Sequence, residues 1–168
     1  MDELKLLQSE YIKHQTQDIP NDLEDLVEEL SRFQRYTDIE NLDIHWRAEN
    51  NIFMAQIGLP SSAPSMIEFR DFAISEIDCN FINIGFNNYG DHIVIIKNSG
   101  EIAYINHDSN NKVEYMNSDA ISLFKCICTF SAMIKGAQDY PTAILEIDPY
   151  AFEDGRWWKQ EYLNWINK

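Results

Sequence analysis

Ile93-Val94-Ile95-Ile96 is the most constraining stretch of this chain. Such a run of β-favouring residues has no polar face, so its strand belongs in the middle of a sheet. Asn98-Ser99-Gly100 follows, a hairpin loop with glycine at the left-handed position. His92–Lys97 therefore pairs antiparallel with Glu101–Asn106. Phe81–Phe86 comes before it, with Gly85 marking a bulge or close packing and Asn87-Asn88-Tyr89-Gly90 as the connecting turn. Met66–Phe69 adds a short strand, and residues 71–80 are ambiguous. Lys112–Asn117 is the last strand, after the polar loop His107–Asn111. The result is a meander of about five antiparallel strands, because loops this short leave no room for parallel crossovers.

Helical spacing flanks the meander on both sides. Residues 3–15 carry Leu4, Leu7, Tyr11 and Ile12, so 1–20 reads as a helical extension. Asn21-Asp22-Leu23-Glu24 has the form of a capping box and predicts a helix to about Tyr36. Its apolar stripe is Leu23, Leu26, Val27, Leu30 and Phe33, with Asp22, Asp25 and Glu29 on the opposite face. Residues 45–57 form a third helix, stopped by Gly58 and Pro60 ahead of a loop through Pro64. Ser118 is expected to cap a helix reaching Lys135, and Thr142–Ile147 continues the helical region. Asp148-Pro149 restarts a turn, and Asp154 is the expected cap of a last helix bearing Trp157, Trp158, Tyr162 and Trp165. The fold class is therefore α+β, one domain over residues 1–168.

Charge decides the partner classes. Lys and Arg total 13 against 28 Asp and Glu, a net of −15. Nucleic acid is excluded as a direct partner, since its affinity comes from basic groups that neutralise phosphates. An anionic membrane surface is excluded on the same ground, and no window is apolar enough to span a bilayer. Residues 17–50 hold ten acids and three bases. That imbalance fits either a solubilising surface or a field that steers a basic protein partner. The three cysteines, Cys79, Cys126 and Cys128, are too few and too oddly placed for a disulfide framework, which points to the cytoplasm. The start Met1-Asp2-Glu3-Leu4-Lys5 has no basic segment followed by an apolar one, so no secretory signal is expected.

The residues that carry chemistry are sparse. Cys126 and Cys128 sit two apart on a helix and point away from each other, so they read as core. His14, His45, His92 and His107 fit no metal-ligand spacing, so neither metal nor cofactor is expected. A His/Asp pair arises only if the turns at Asp91-His92 and His107-Asp108 meet, and no nucleophile motif accompanies it. Phosphate-cradling glycine motifs are missing, and no catalytic residue is assigned. Trp46, Trp157 and Trp158 could stack a ligand, but tryptophans on an amphipathic helix read first as core. Trp157, Trp158, Tyr162 and Trp165 cover more of a helix than one face can bury, so the surplus is a candidate homodimer surface.

Several short motifs in order resemble the SUKH superfamily of bacterial immunity proteins, which share a Smi/Knr-type domain. They cover residues 45–168: Gly58-Leu59-Pro60, then Gly85 ahead of Gly90-Asp91-His92-Ile93, then Ser99-Gly100-Glu101. Met116-Asn117-Ser118 follows, and Asp148-Pro149-Tyr150-Ala151-Phe152 with Trp158 is similar to the fourth SUKH subfamily. The resemblance implies a non-enzymatic protein that binds and neutralises a cognate toxin domain, often a nuclease or deaminase. A non-enzymatic adaptor or regulatory domain of the same fold is the alternative it leaves. It implies structural roles for the glycines, for Leu59 and Pro60, for Asn117 and Ser118, and for Asp148, Pro149 and Trp158. Contacts with the toxin are expected from acids near the sheet, namely Glu68, Asp91, Glu101, Asp108 and Glu114. The face of Asp22, Asp25 and Glu29 is the second choice.

Overall fold

The computed structural model describes residues 1–20, 22–74, 78–136 and 139–167. The chain runs α1 (Asp2–Thr16), α2 (Glu24–Leu30), β1 (Phe33–Gln34), a 3-10 turn (Ile39–Leu42), α3 (Ala48–Gln56), β2 (Leu59–Pro60) and β3 (Ser62–Ala63). Then come β4 (Ile67–Ile74), β5 (Phe81–Phe86), β6 (His92–Ile96), β7 (Ile102–Asn106), a 3-10 turn (His107–Ser109) and β8 (Lys112–Asn117). Helices α4 (Ala120–Ile134) and α5 (Tyr140–Ile147), a 3-10 turn (Pro149–Phe152) and α6 (Trp157–Ile166) complete it. This is an α+β domain. Strands β3 to β8 form one six-stranded antiparallel sheet in sequence order, and β1 pairs with β2. The sheet exceeds the expected five strands by β3, two residues inside the expected loop.

The apolar run behaves as its composition dictates. Ile93 and Ile95 enter the main core beside Ile82, Ile102 and the α4 residues Leu123, Phe124 and Ile127. Val94 turns to the other face and meets Ala103 and Ile105, flanked by Phe81 and Ile96. Gly85 sits at the β5 bulge, where the register with β6 shifts after Asn83. A Cβ there would collide with the Glu68 carbonyl on β4. Gly58 ends α3 at φ +78°, and a Cβ on it would strike the Gln34 carbonyl. The close approach lets Gln34 pair with Leu59.

The second helix departs from its periodicity. It ends at Leu30 instead of reaching Tyr36, and Asn21 of the expected capping box lies outside the described residues. Tertiary burial overrides the helical spacing. The Phe33 ring meets Tyr11 and Phe124 edge-on, at 5.9 and 6.0 Å between centroids. Tyr36 is buried and donates its hydroxyl to the Ile84 carbonyl at 3.2 Å. The extended backbone lets Phe33–Gln34 pair with Leu59–Pro60 and turns Phe33 and Tyr36 toward different neighbours, Tyr11 and Phe124 for one, Ile84 and Phe72 for the other. Asp119, not Ser118, caps α4, accepting the Ser122 N–H at 2.8 Å. The Ser118 hydroxyl is already committed to Ser122 Oγ at 3.0 Å. The last helix starts after Arg156 rather than on an Asp154 cap, and Asp154 pairs with Lys159 instead.

Residues 1–20 are no appendage. Leu4 and Tyr11 lie in the main core, and the Tyr11 hydroxyl donates to the Ser62 carbonyl at 2.9 Å. Gln15 reaches Ser131 on α4, and the pairs Glu3–Lys125 and Asp18–Lys135 tie both ends of this segment to the same helix. No helix among the described residues is long and apolar enough to cross a membrane.

Candidate docking surface

The last of the resemblance motifs, Asn117-Ser118 and Asp148 with Trp158, meet in one polar knot. Asp148 ends α5 and caps the following turn, accepting the Ala151 N–H. Its second oxygen accepts from the Tyr115 hydroxyl (2.8 Å), the Ser118 N–H (2.7 Å) and the Asn117 amide (3.4 Å). Asn117 in turn accepts the Trp158 indole N–H at 2.8 Å and donates to Cys126 Sγ at 3.2 Å. Burial, then the Asp148 carboxylate, pushes the Tyr115 hydroxyl well above the usual tyrosine range, so it remains a donor. The knot joins β8, α4, α5 and α6, and each residue in it is committed to another. These residues shape the scaffold and offer nothing to a ligand.

The two histidine turns do meet. Asp91 accepts from the His107 backbone N–H (3.0 Å) and from its ring Nδ1 (2.7 Å). Its other oxygen accepts from the Asn87 amide at 2.9 Å. The far ring nitrogen of His107 faces Asp108 Oδ1 at 3.3 Å, so a carboxyl group stands where a nucleophile would be needed. The corner fastens the β5–β6 turn to the β7–β8 loop. Asp91 was expected as an exposed contact acid; its side chain is 7% exposed and serves this fastening instead. Burial would raise its carboxyl pKa, but the Asn87 amide and the two His107 donors outweigh that and hold it below the usual carboxylate range. Asp119 is held low in the same way by the Ser122 N–H and Arg47 against its burial. A carboxyl with a depressed folded pKa stabilises fully above its unfolded value, near 4, and ceases to as pH falls through the folded one. Stability in urea should therefore drop below about pH 4. Asp91→Asn should lower stability at neutral pH and flatten that acid limb, measured against the parent at each pH.

The remaining first-choice acids do not form a patch. Glu101 and Asp108 flank opposite ends of β7, about 15 Å apart for a strand of that length. Glu68 on β4 and Glu114 on β8 are four strands apart, roughly 19 Å. Glu68 is paired with Arg70 and Glu114 with Lys112, each at 2.7 Å, and Glu101 accepts from the Ser99 hydroxyl. Local partners thus spend much of this charge.

The second-choice face stands differently. No residue of α2 is buried, and Leu23 and Leu26 are 45% and 39% exposed. Asp22, Leu23, Glu24, Asp25, Leu26 and Glu29 line an open hollow of about 590 Å³. Glu28 pairs with Arg32 at 2.9 Å; among the described residues no cation pairs with Asp22, Glu24, Asp25 or Glu29. Glu24 and Asp25 in the first turn complement the helix dipole, and Val27 and Leu30, half-buried, face the rest of the domain. Uncompensated acid thus surrounds two uncovered leucines. Periodicity showed the acids and the stripe, but not that its first two residues, Leu23 and Leu26, would stay open.

No family model, curated protein or solved structure matches the chain. The family resemblance therefore rests on the motifs themselves.

The other chemistry-bearing residues lie elsewhere in the fold. Cys126 and Cys128 are buried on α4, and burial pushes both thiols far above the usual range, which removes their nucleophilicity. Cys79 is exposed. Trp157 and Trp158 are buried, and Trp46 donates to Asn51 at 2.7 Å beside Gly100. On α6, Tyr162 stacks on Tyr140, which leaves Leu163, Trp165 and Ile166 as its partly exposed apolar residues.

Proposed function

We propose that this protein acts by docking onto a basic protein partner, as an immunity protein that neutralises a cognate toxin domain. The observation that carries the reading is the start of α2, where Asp22, Glu24, Asp25 and Glu29 make no ion pair among the described residues and Leu23 and Leu26 stand exposed. Exposed leucines within an unneutralised acidic rim suit a surface that is desolvated on binding. The net charge of −15 supports fast capture of a positively charged target. The motif resemblance supports a toxin as that target. Covering a toxin's basic substrate groove would inhibit it without any chemistry on this chain.

The test is co-expression with the product of the adjacent gene, followed by binding and inhibition assays. Wild-type chain should bind and inhibit. Asp25→Lys with Glu29→Lys should slow association about tenfold at low salt, with the gap closing as salt rises. Both sites are exposed, so the fold should be unchanged by circular dichroism. Unchanged rates would remove α2 as the docking face. A chain that neither binds nor inhibits its neighbour would overturn the function.

A further inference from the structure

The β3–β4 hairpin turns through a left-handed backbone without using glycine or asparagine for it. Its loop, Pro64-Ser65-Met66, places Ser65 at φ 67° and Met66 at φ 54°, a left-handed region that glycine and asparagine favour. Met66 is also 67% exposed. The fold thus carries both backbone strain and bare apolar surface at one residue. Strain of this kind collects at functional sites. Tyr89, 63% exposed, stands on the neighbouring β5–β6 turn. That turn is rigid, since Asn87 Oδ1 accepts from the Tyr89 and Asp91 N–H groups and Asp91 anchors it to His107.

Met66 and Tyr89 wall one cavity of about 420 Å³, completed by Ser65, Asn88 and the α6 residues Glu161 and Asn164. Glu161 has no ion-pair partner among the described residues. A thioether and an aromatic ring suit an aliphatic stem and a cation, and both accommodate varied shapes. A carboxylate and amide oxygens supply acceptors for a charged head. Neither a neutral nor an anionic ligand uses all of these groups. We propose that this cavity receives a lysine or arginine side chain from the basic partner. The inference rests on the docking reading above and names a second contact point, separate from α2.

The test uses the full chain labelled at its methionine methyl groups and observed by NMR. The probes are acetylated Gly-Arg-Gly amide and Gly-Lys-Gly amide, with citrulline and leucine in the central position as controls. The cationic peptides should shift the Met66 methyl saturably, at least about fivefold more tightly than the controls, and more weakly at high salt. Glu161→Gln should remove most of that preference. Met66→Asn should leave the melting temperature unchanged or raise it by about 1–2 °C, because asparagine tolerates the left-handed backbone. It should also weaken the peptide-induced shift of the Tyr89 ring. An unmoved Met66 methyl, equal binding of the controls, or full binding by Glu161→Gln overturns the pocket. If that happens while the chain still inhibits its neighbour, the pocket falls and the docking reading stands. Selective peptide binding without inhibition of the neighbour gives the reverse.

Discussion

Replacing Trp158 by alanine is expected to cost about 3–5 kcal/mol of folding stability, the range for emptying a large aromatic site. Trp158 is fully buried and packs against Phe130, and the Tyr140 hydroxyl reaches its carbonyl. The truncation also strands Asn117 Oδ1, which accepts the indole N–H inside the core. For a chain of this length the loss corresponds to a melting temperature lower by roughly 10 °C or more. Trp158→Phe separates the two effects: it keeps most of the packing and removes the hydrogen bond, so it should cost about 1–3 kcal/mol. Equal losses in both variants would mean that the hydrogen bond, not the volume, sets the cost.

That residue also shows what could be read from the chain. Trp158 joined the candidate structural positions through a motif, while its partner Asn117 sits 41 residues earlier, on another element. Local signals were legible where local physics decides. The Ile93–Ile96 run, the Gly100 hairpin, the Gly85 bulge and the Asp148-Pro149 turn each depend on residues within a few positions, and each appears as expected. The errors arose where distant packing competes with local preference. Phe33 and Tyr36 continue a helical stripe but are claimed by Tyr11, Phe124 and Ile84. Ser118 is a good cap residue, yet its hydroxyl turns to Ser122 Oγ and Asp119, one residue on, accepts the Ser122 N–H.

The candidate surfaces were less legible than the fold, for a related reason. Acidity can be counted in a sequence; freedom from partners cannot. Glu68 and Glu114 look as promising as Asp25 and Glu29 until Arg70 and Lys112 are found beside them. Asp91 looks like an exposed turn acid until His107 closes over it. The Met66–Tyr89 cavity gave no sequence signal, because it needs two turns and a helix from three parts of the chain. A left-handed methionine is visible only once the backbone is known.

The polar knot at Asp148 should be as sensitive as the tryptophan. Asp148→Ala removes the acceptor of the Tyr115 hydroxyl and of the Ser118 N–H, and takes from the Ala151 N–H its side-chain cap while leaving it the residue-148 carbonyl, in a site where Asp148 is 3% exposed. An orphaned donor costs about 1–3 kcal/mol where it is buried and less where water reaches it, as at the exposed Ser118, so the sum should reach about 3 kcal/mol after relaxation. Asp148→Asn is the informative contrast. Its amide oxygen can replace the carboxyl oxygen that serves Tyr115 and Ser118, but its NH₂ group then faces the Ala151 N–H. The asparagine variant should therefore lose the cap and keep the junction, at about 1–2 kcal/mol. Urea unfolding gives the order, and amide hydrogen exchange gives the place. In Asp148→Asn faster exchange should stay within the Pro149–Phe152 turn, whereas in Asp148→Ala it should extend to Ser118 and the start of α4. Equal exchange at Ser118 in both variants would show that Asp148 acts only as a cap, leaving the β8–α4 junction to Asn117 and Trp158.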